Sequence, residues 1–486
     1  MNCTLTILSS ENGNNIQLAC SAGERLYDVL ARNGIRFSAP CGGKGKCGKC
    51  RVHAWGGIKT DNDGTCLICK TYIENDCTID FNEKHARVLT GGIVNTFETD
   101  GHKGLGLAAD IGTTTIAVYL MDMLTGKELA RTSMLNPQRI HGADVISRLQ
   151  YALISEDNRR TLSNEIHTAL DEAGRILLEK AGLSNQSILL SAFAGNTVMM
   201  HLASGYDASG LAKAPFIPYY TAAHRRTVYG KKVFLGGCVS GYVGADTTAA
   251  MLACGFDTGD ETVLLIDIGT NGEIVLRDKG RYFCCSCAAG PAFEGAHITC
   301  GTGAVDGAID HLTERGSGFT YTTINGAEPS GICGSGLIDA IAYLARNKSI
   351  NPMGRMGERF YISDNVFIAP EDVREVQLAK AAIAAGIEIL CSKAQISYGE
   401  IDKVYLAGGF GNCISVASAC SIGLLPKEIE HKTTGVGNAA GDGIKMQLLS
   451  EASVRRAEKL RRLTEYVELS AEPDFEDIFS DNLLFY

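Results

Sequence analysis

Three thiols in one glycine-rich loop are the strongest chemical signal in the chain. Cys41-Gly-Gly-Lys-Gly-Lys-Cys47-Gly-Lys-Cys50 has the spacing C-x5-C-x2-C. Such a loop can wrap a small iron–sulfur cluster closely enough for three thiolates to reach two irons. Glycines at 42, 43, 45 and 48 let backbone N–H groups turn toward the sulfurs without Cβ clashes. A fourth ligand must come from elsewhere, and Cys66, Cys69 and Cys77 are the candidates. Zinc is the competing occupant, because Cys47/Cys50 and Cys66/Cys69 form two C-x2-C pairs. The additional Cys41 and the glycines favour iron–sulfur.

A second chemistry is written in two tight hairpins. Leu105-Gly-Leu-Ala-Ala-Asp110-Ile-Gly112-Thr113-Thr114 runs from an apolar strand into a glycine turn, and Thr262-Val-Leu-Leu-Ile-Asp267-Ile-Gly269-Thr270-Asn271 repeats it 157 residues later. Glycine allows close backbone approach, and the threonine hydroxyls and turn amides can donate to phosphate oxygens. Asp110 and Asp267 are available to Mg2+ through its water shell. Val404-Tyr-Leu-Ala-Gly408-Gly409-Phe-Gly411 offers a Gly-Gly turn against which an adenosine ring could lie. Ser240-Gly-Tyr-Val-Gly244-Ala-Asp246 starts a helix at an acidic residue suited to orienting an attacking water. One Asp-x-Gly-Thr alone signals no more than turn geometry. Two of them plus Gly408-Gly409, in that order, resemble the superfold of actin, the sugar kinases and the chaperone ATPases.

The elements that must hold these residues follow from periodicity. Thr4–Leu8 and Asn15–Ala19 alternate as strands, Ser9–Gly13 reads as their turn, and Gly23–Arg32 reads as a short amphipathic helix. Arg51–Trp55 and Cys77–Phe81 read as further strands. Residues 161–178 and 377–390 have helical spacing. The expected organisation is a cluster module over 1–82, a connector over 83–103, and the two halves of an ATPase over 104–260 and 261–486. A module attached by such a connector can swing.

Composition narrows the field. Among 486 residues, 45% are hydrophobic and the formal net charge is -10, which argues for large cores and against nucleic-acid binding. Residues 1–80 hold nine Lys/Arg against eight Asp/Glu, so the acidic excess falls on the remainder. No apolar run is long enough for a membrane helix, and the N-terminus lacks the features of a signal peptide. A cytoplasmic protein is expected, in which eighteen cysteines serve as thiols or metal ligands rather than disulfides. Cys284, Cys285, Cys287 and Cys333 read as buried thiols, with a second cluster as the alternative. His201 and His297 read as core or hydrogen-bonding residues. Lys44, Lys46, Lys49 and Arg51 are either charge compensation for a cluster or a docking patch for an acidic partner.

Residues 1–82 resemble the β-grasp [2Fe–2S] ferredoxins. Cys66-Leu-Ile-Cys69-Lys is similar to the segment that ends plant-type ferredoxin loops, which selects Cys69 to join Cys41, Cys47 and Cys50 as ligands. Asn136-Pro-Gln-Arg-Ile-His-Gly-Ala-Asp144, Ala194-Gly-Asn-Thr-Val-Met-Met-His201, Ala289-Gly-Pro-Ala-Phe-Glu-Gly295, Gly331-Ile-Cys-Gly-Ser-Gly336 and Gly437-Asn-Ala-Ala-Gly-Asp442 stand between the nucleotide elements. With the ferredoxin module in front, the chain resembles the reductive activators of corrinoid enzymes. The resemblance implies an ATP-hydrolysing oxidoreductase that passes an electron from its [2Fe–2S] cluster to a Co(II) corrinoid protein of a methyltransferase system, restoring Co(I). It implies ATP and Mg2+, an upstream low-potential electron donor, and a tendency to homodimers. A small-molecule kinase and a redox-sensing actin-like protein are the alternatives. Asp246 in a Gly-Ala-Asp segment suits a kinase base, but phosphoryl transfer has no use for a fused cluster.

Overall fold

Alternation of buried and exposed residues shapes the N-terminal sheet. The computed structural model describes residues 2–8, 15–33, 35, 37, 43, 45, 48, 50–80, 91–94, 96–142, 144–316, 318–411 and 413–485. β1 (Asn2–Leu8), β2 (Ile16–Ser21), β3 (Arg51–Ile58), β4 (Thr65–Leu67) and β5 (Ile73–Asp80) form one sheet in the order β2-β1-β5-β3-β4. β1 and β5 are parallel and the other pairs antiparallel, with helix Leu26–Arg32 inserted between β2 and β3. This is the β-grasp arrangement. Leu5, Leu26, Leu30, Ile68, Ile73 and Ile79 fill its core. The turn expected at Ser9–Gly13 lies outside the described residues.

Two six-stranded sheets follow. The first is built from β6 (Leu105–Ile111), β7 (Thr115–Asp122), β8 (Glu128–Leu135), β9 (Ile188–Ala194), β10 (His224–Val228) and β11 (Lys231–Leu235), in the order β10-β11-β9-β6-β7-β8. The second contains β12 (Val263–Ile268), β13 (Gly272–Asp278), β14 (Arg281–Cys287), β15 (Lys403–Ala407), β16 (Thr433–Gly437) and β17 (Thr464–Tyr466), in the order β16-β15-β12-β13-β14-β17. Each has an antiparallel three-strand meander, then two parallel strands added beside its first strand. The duplication expected from the two Asp-Ile-Gly-Thr hairpins is thus a duplication of topology. β6 and β12 are buried along almost their whole length, as central strands covered on both faces must be. Helices Ala245–Ala253 and Ala439–Leu449 pack so closely that a Cβ on Gly443 would lie 1.9 Å from Ala249 O.

The chain divides into two compact units. Unit one is 1–85 together with 137–151, and unit two is 86–136 together with 152–486. Within unit one the Tyr27 hydroxyl donates to Ile140 O at 2.6 Å, joining helix Leu26–Arg32 to the later segment. Within unit two, the part of the connector from 91 to 100 is fastened to its surroundings. Asn438 N donates to Gly91 O at 2.9 Å, Val94 N to Asp442 Oδ2 at 2.8 Å, and Asp100 N to Leu449 O at 3.0 Å.

Candidate functional site

In unit one, β3 and the turn after β4 bring two thiols together. Cys50 and Cys69 are buried, with sulfurs 3.1 Å apart, and Cys69 N points at Cys50 Sγ at 3.4 Å. Two thiols this close, with a backbone amide already aimed at one sulfur, suit neighbouring ligands of an iron–sulfur cluster. Cys41 and Cys47 lie outside the described residues. Gly43, Gly45 and Gly48 all have φ between 66 and 73°, and a Cβ on Gly43 would press on the Tyr27 ring at 2.6 Å. The loop therefore requires glycine for its turns as well as for its amides. Cys66 is different: its thiol is buried and pushed up by desolvation, with the Thr71 hydroxyl beside it. Cys77 sits inside the sheet, where burial, then Cys20 and Cys3, push its thiol up to about 12.

In unit two the hairpins position carboxylates. Asp110 and Asp267 are the penultimate residues of β6 and β12, and the register of β12 with β13 sets Glu273 opposite Asp267. Asp246 stands in the first turn of helix Ala245–Ala253, with Oδ1 accepting from Thr247 N at 2.7 Å. Desolvation pushes Asp110 up to about 6, against a lowering hydrogen bond from Asn438 Nδ2 at 2.9 Å. Asp246 is pushed up to about 7 by desolvation and then Asp110. Asp267 is pushed up to about 7 by desolvation, then Asp246 and Asp110. Glu273 rises well above its ordinary range through desolvation, Asp246, Asp267 and Cys287. Four carboxyls crowd one site, and a divalent cation would relieve them. Among the described residues no three His, Cys, Asp or Glu side chains are grouped to ligate a metal directly.

The turns carry the hydroxyls. Asn136 Nδ2 donates to Gly112 O at 2.8 Å, and Asn196 Nδ2 donates to Thr113 Oγ1 at 3.1 Å. Thr114 and Thr270, one from each turn, both donate to Glu294. Gly408, at φ +90°, leaves only 2.6 Å between an added Cβ and Asp267 Oδ1, whereas a Cβ on Gly409 would meet nothing within 4 Å. Gly408 thus backs the turn after Asp267, and Gly409 faces open space. Gly269 and Asn271 close that turn through a hydrogen bond from Gly269 N to Asn271 O at 3.0 Å.

Several residues outside the expected site complete it. Asn438 caps helix Ala439–Leu449 and touches Asp110, 328 positions earlier. Glu294 reaches Thr114 across 180 positions. No local pattern signals these two roles. Glu273 was within reach, because counting back across the hairpin turn places it opposite Asp267. Cys284 faces one core while Cys285 and Cys287 face another, and burial pushes the Cys284 and Cys285 thiols up. Cys333 is a buried thiol pointing at Ile309 O at 3.4 Å. His201 is fully buried; its Nδ1 faces Thr197 O at 2.7 Å, its Nε2 accepts from Tyr219 N at 3.0 Å, and desolvation lowers its pKa to about 4. It is a core histidine with no surface to offer a partner. His297 is exposed and lies 3.7 Å from Glu375. Arg51 is engaged by Asp61 and Thr65, at 2.5 and 2.6 Å, while Lys44, Lys46 and Lys49 lie outside the described residues.

Comparison with known proteins bears on both units. Residues 9–74 match the 2Fe-2S iron-sulfur cluster binding domain, residues 105–259 the RACo middle region, and residues 261–486 the C-terminal ASKHA domain of RACo. The corrinoid activation enzyme RamQ of Eubacterium limosum is 34% identical over 418 residues, covering 78% of this chain and 70% of that protein. The chain belongs to the corrinoid reductive activator family. A second family member, the [Co(II) methylated amine-specific corrinoid protein] reductase of Methanosarcina barkeri, is 25% identical over 66% of each chain. A solved structure titled as a reductive activator for corrinoid, iron-sulfur protein superposes with a TM-score of 0.71 at 27% identity, covering 99% of this chain and 98% of that one. This activator therefore joins an iron–sulfur domain to an ASKHA nucleotide-binding domain. Among the described residues, no helix is long and apolar enough to cross a membrane.

Proposed function

We propose that this activator uses ATP hydrolysis to deliver one electron to a Co(II) corrinoid protein, returning it to Co(I) for methyl transfer. The observation that carries the reading is the pairing, in one chain, of the Cys50–Cys69 thiol site with two phosphate turns crowded by Asp110, Asp246, Asp267 and Glu273. Cys41, Cys47, Cys50 and Cys69 would hold the cluster, whose chemistry is one-electron transfer from roughly -400 mV. Gly112, Thr113 and Thr114 would bind phosphate from one side and Gly269, Thr270 and Asn271 from the other. Gly408 and Gly409 would border the nucleoside. Asp110 and Asp267 would hold the water shell of Mg2+, and Asp246, raised into the neutral range, would orient and deprotonate the attacking water.

Reduction of Co(II) corrinoid is expected to be uphill from such a cluster, and each 59 mV uphill loses about a factor of ten in equilibrium. Nucleotide-dependent binding that alters cobalt coordination would raise the cobalt potential, since binding shifts an equilibrium only through differential affinity. An upstream low-potential donor would resupply the electron. A homodimer is the family's tendency, and sedimentation velocity tests it here.

The deciding experiment is anoxic and spectrophotometric. Purified activator, a chemical reductant and Co(II) corrinoid protein should give Co(I) absorbance only with MgATP, and Asp110→Ala should abolish that gain while leaving the cluster spectrum intact. Equal Co(I) formation without ATP would overturn the reading. Phosphorylation of a small-molecule acceptor, with no cobalt reduction, would favour the kinase alternative.

A further inference from the structure

Between the two phosphate turns stands an anion that belongs to the protein itself. Thr114 Oγ1 donates to Glu294 Oε2 at 3.1 Å, and Thr270 Oγ1 donates to Glu294 Oε1 at 2.9 Å. The two threonines come from opposite, topologically equivalent hairpins, and one carboxylate spans them. Its placement is fixed by the backbone. Glu294 ends the short turn Pro291–Glu294, which is flanked by Gly290 at φ 75° and Gly295 at φ 79°. A Cβ on Gly295 would stand 2.5 Å from Thr302 O, so this turn cannot relax around a larger residue.

These two hydroxyls are the groups assigned to nucleotide phosphate. A hydroxyl carries one proton and donates to one acceptor at a time. A carboxylate and a phosphate oxygen competing for it also repel each other. We propose that Glu294 is an internal counter-ligand that engages the hydroxyls assigned to phosphate and must be displaced by nucleotide. The proposal rests on the nucleotide-binding reading of unit two and adds a specific role in product release. Hydrolysis adds water to the γ-phosphorus and breaks its bond to the β–γ bridging oxygen, giving ADP and inorganic phosphate. Glu294 exchanges no proton in that step. Once inorganic phosphate departs, Thr114 and Thr270 are free to turn back to Glu294, and ADP loses two donors together. Glu294 is a positioning residue acting through the two threonines. It also ties the two halves of the ATPase together.

Glu294→Gln and Glu294→Ala in the cluster-loaded, full-length chain test this by titration calorimetry with MgADP. Both variants should bind ADP about tenfold more tightly than the unmodified protein, because each removes a charged competitor for two hydrogen-bond donors. Single-turnover and steady-state ATPase rates should then separate, with steady-state turnover limited by ADP release. A retained cluster spectrum and circular dichroism show that the variants are folded. Damage to the fold would weaken binding, so tightening is a readout that a merely structural role does not give. ADP affinity unchanged or weakened in both variants, while the unmodified chain binds, would overturn the counter-ligand role alone. An unmodified chain that binds no ADP would remove the nucleotide reading on which it rests.

Discussion

Asp267→Asn converts the crowding of carboxyls into a measurable dependence on pH. The ordinary value of this carboxyl is 3.8, and the fold pushes it up to about 7 through desolvation, then Asp246 and Asp110. The folded protein therefore keeps a proton that the unfolded chain has already released. Its contribution to stability is fully present below the unfolded value and is lost as pH rises through the folded one. Integrated between about pH 5 and pH 8, that loss is about 2–3 kcal/mol from Asp267 alone. Asparagine cannot ionise, and it also removes one of the charges that raise Glu273. The nucleotide-free variant should gain about 2–3 kcal/mol on the unmodified chain between those two pH values, while losing ATP turnover. Urea unfolding followed by far-ultraviolet circular dichroism is the assay. The single tryptophan, Trp55, belongs to unit one and gives a separate signal for it. Saturating MgADP should flatten the dependence in the unmodified chain, because a bound cation favours the ionised carboxyls. Parallel stability profiles for the two proteins across this pH range would refute the charge-crowding argument.

Three further outcomes follow from the geometry. Cys69→Ser should abolish the visible absorption and the paramagnetic signal of the reduced cluster, whereas Cys66→Ser should keep both, since of these two thiols it is Cys69 whose sulfur lies 3.1 Å from that of Cys50. Asn438→Ala removes a hydrogen bond that lowers the Asp110 pKa, so Asp110 should rise further above about 6 and the acidic limb of the ATPase profile should move to higher pH. Gly408→Ala forces a side chain to within 2.6 Å of Asp267 Oδ1 at a left-handed φ of +90°. A strain of about 1–3 kcal/mol should then appear as lost nucleotide affinity, read by calorimetry, with the cluster spectrum unchanged.

Sequence reasoning reaches the parts of this protein that are local. Asp110 and Asp267 could be paired because each hairpin carries its own strand, glycine and threonines within a dozen residues, and the repeat is visible by eye. The sheet of unit one was legible for the same reason, as were the long helices Glu156–Lys180 and Pro370–Ala394, which extend the periodic stretches read at 161–178 and 377–390. What escaped depends on distant contacts. Asn438 meets Asp110 only after the second sheet has formed and helix Ala439–Leu449 has packed. Glu294 bridges two turns whose approach is a property of the whole duplicated fold. Arg51 reads as a free cation beside the cluster loop until folding places Asp61 next to it. The hold of Gly91 and Val94 on the Asn438–Asp442 segment is likewise invisible in a connector without periodicity.

The split make-up of unit one also bears on how the protein is made. A ribosome adds roughly 5–20 residues per second, and domains generally fold as units, the N-terminal one first. Here the first sheet is complete in sequence by Asp80, yet Ile140, which receives the Tyr27 hydroxyl, is synthesised only after the hairpin Leu105–Asp122. The module that carries the cysteines closes late, once the opening strands of the ATPase already exist. Tyr27 lies against Gly43 of the cysteine loop, so this closing step falls beside the place where iron and sulfur must be loaded. Nascent chain stopped at residue 136 would contain Cys41, Cys47, Cys50 and Cys69, but not the segment on which their module closes.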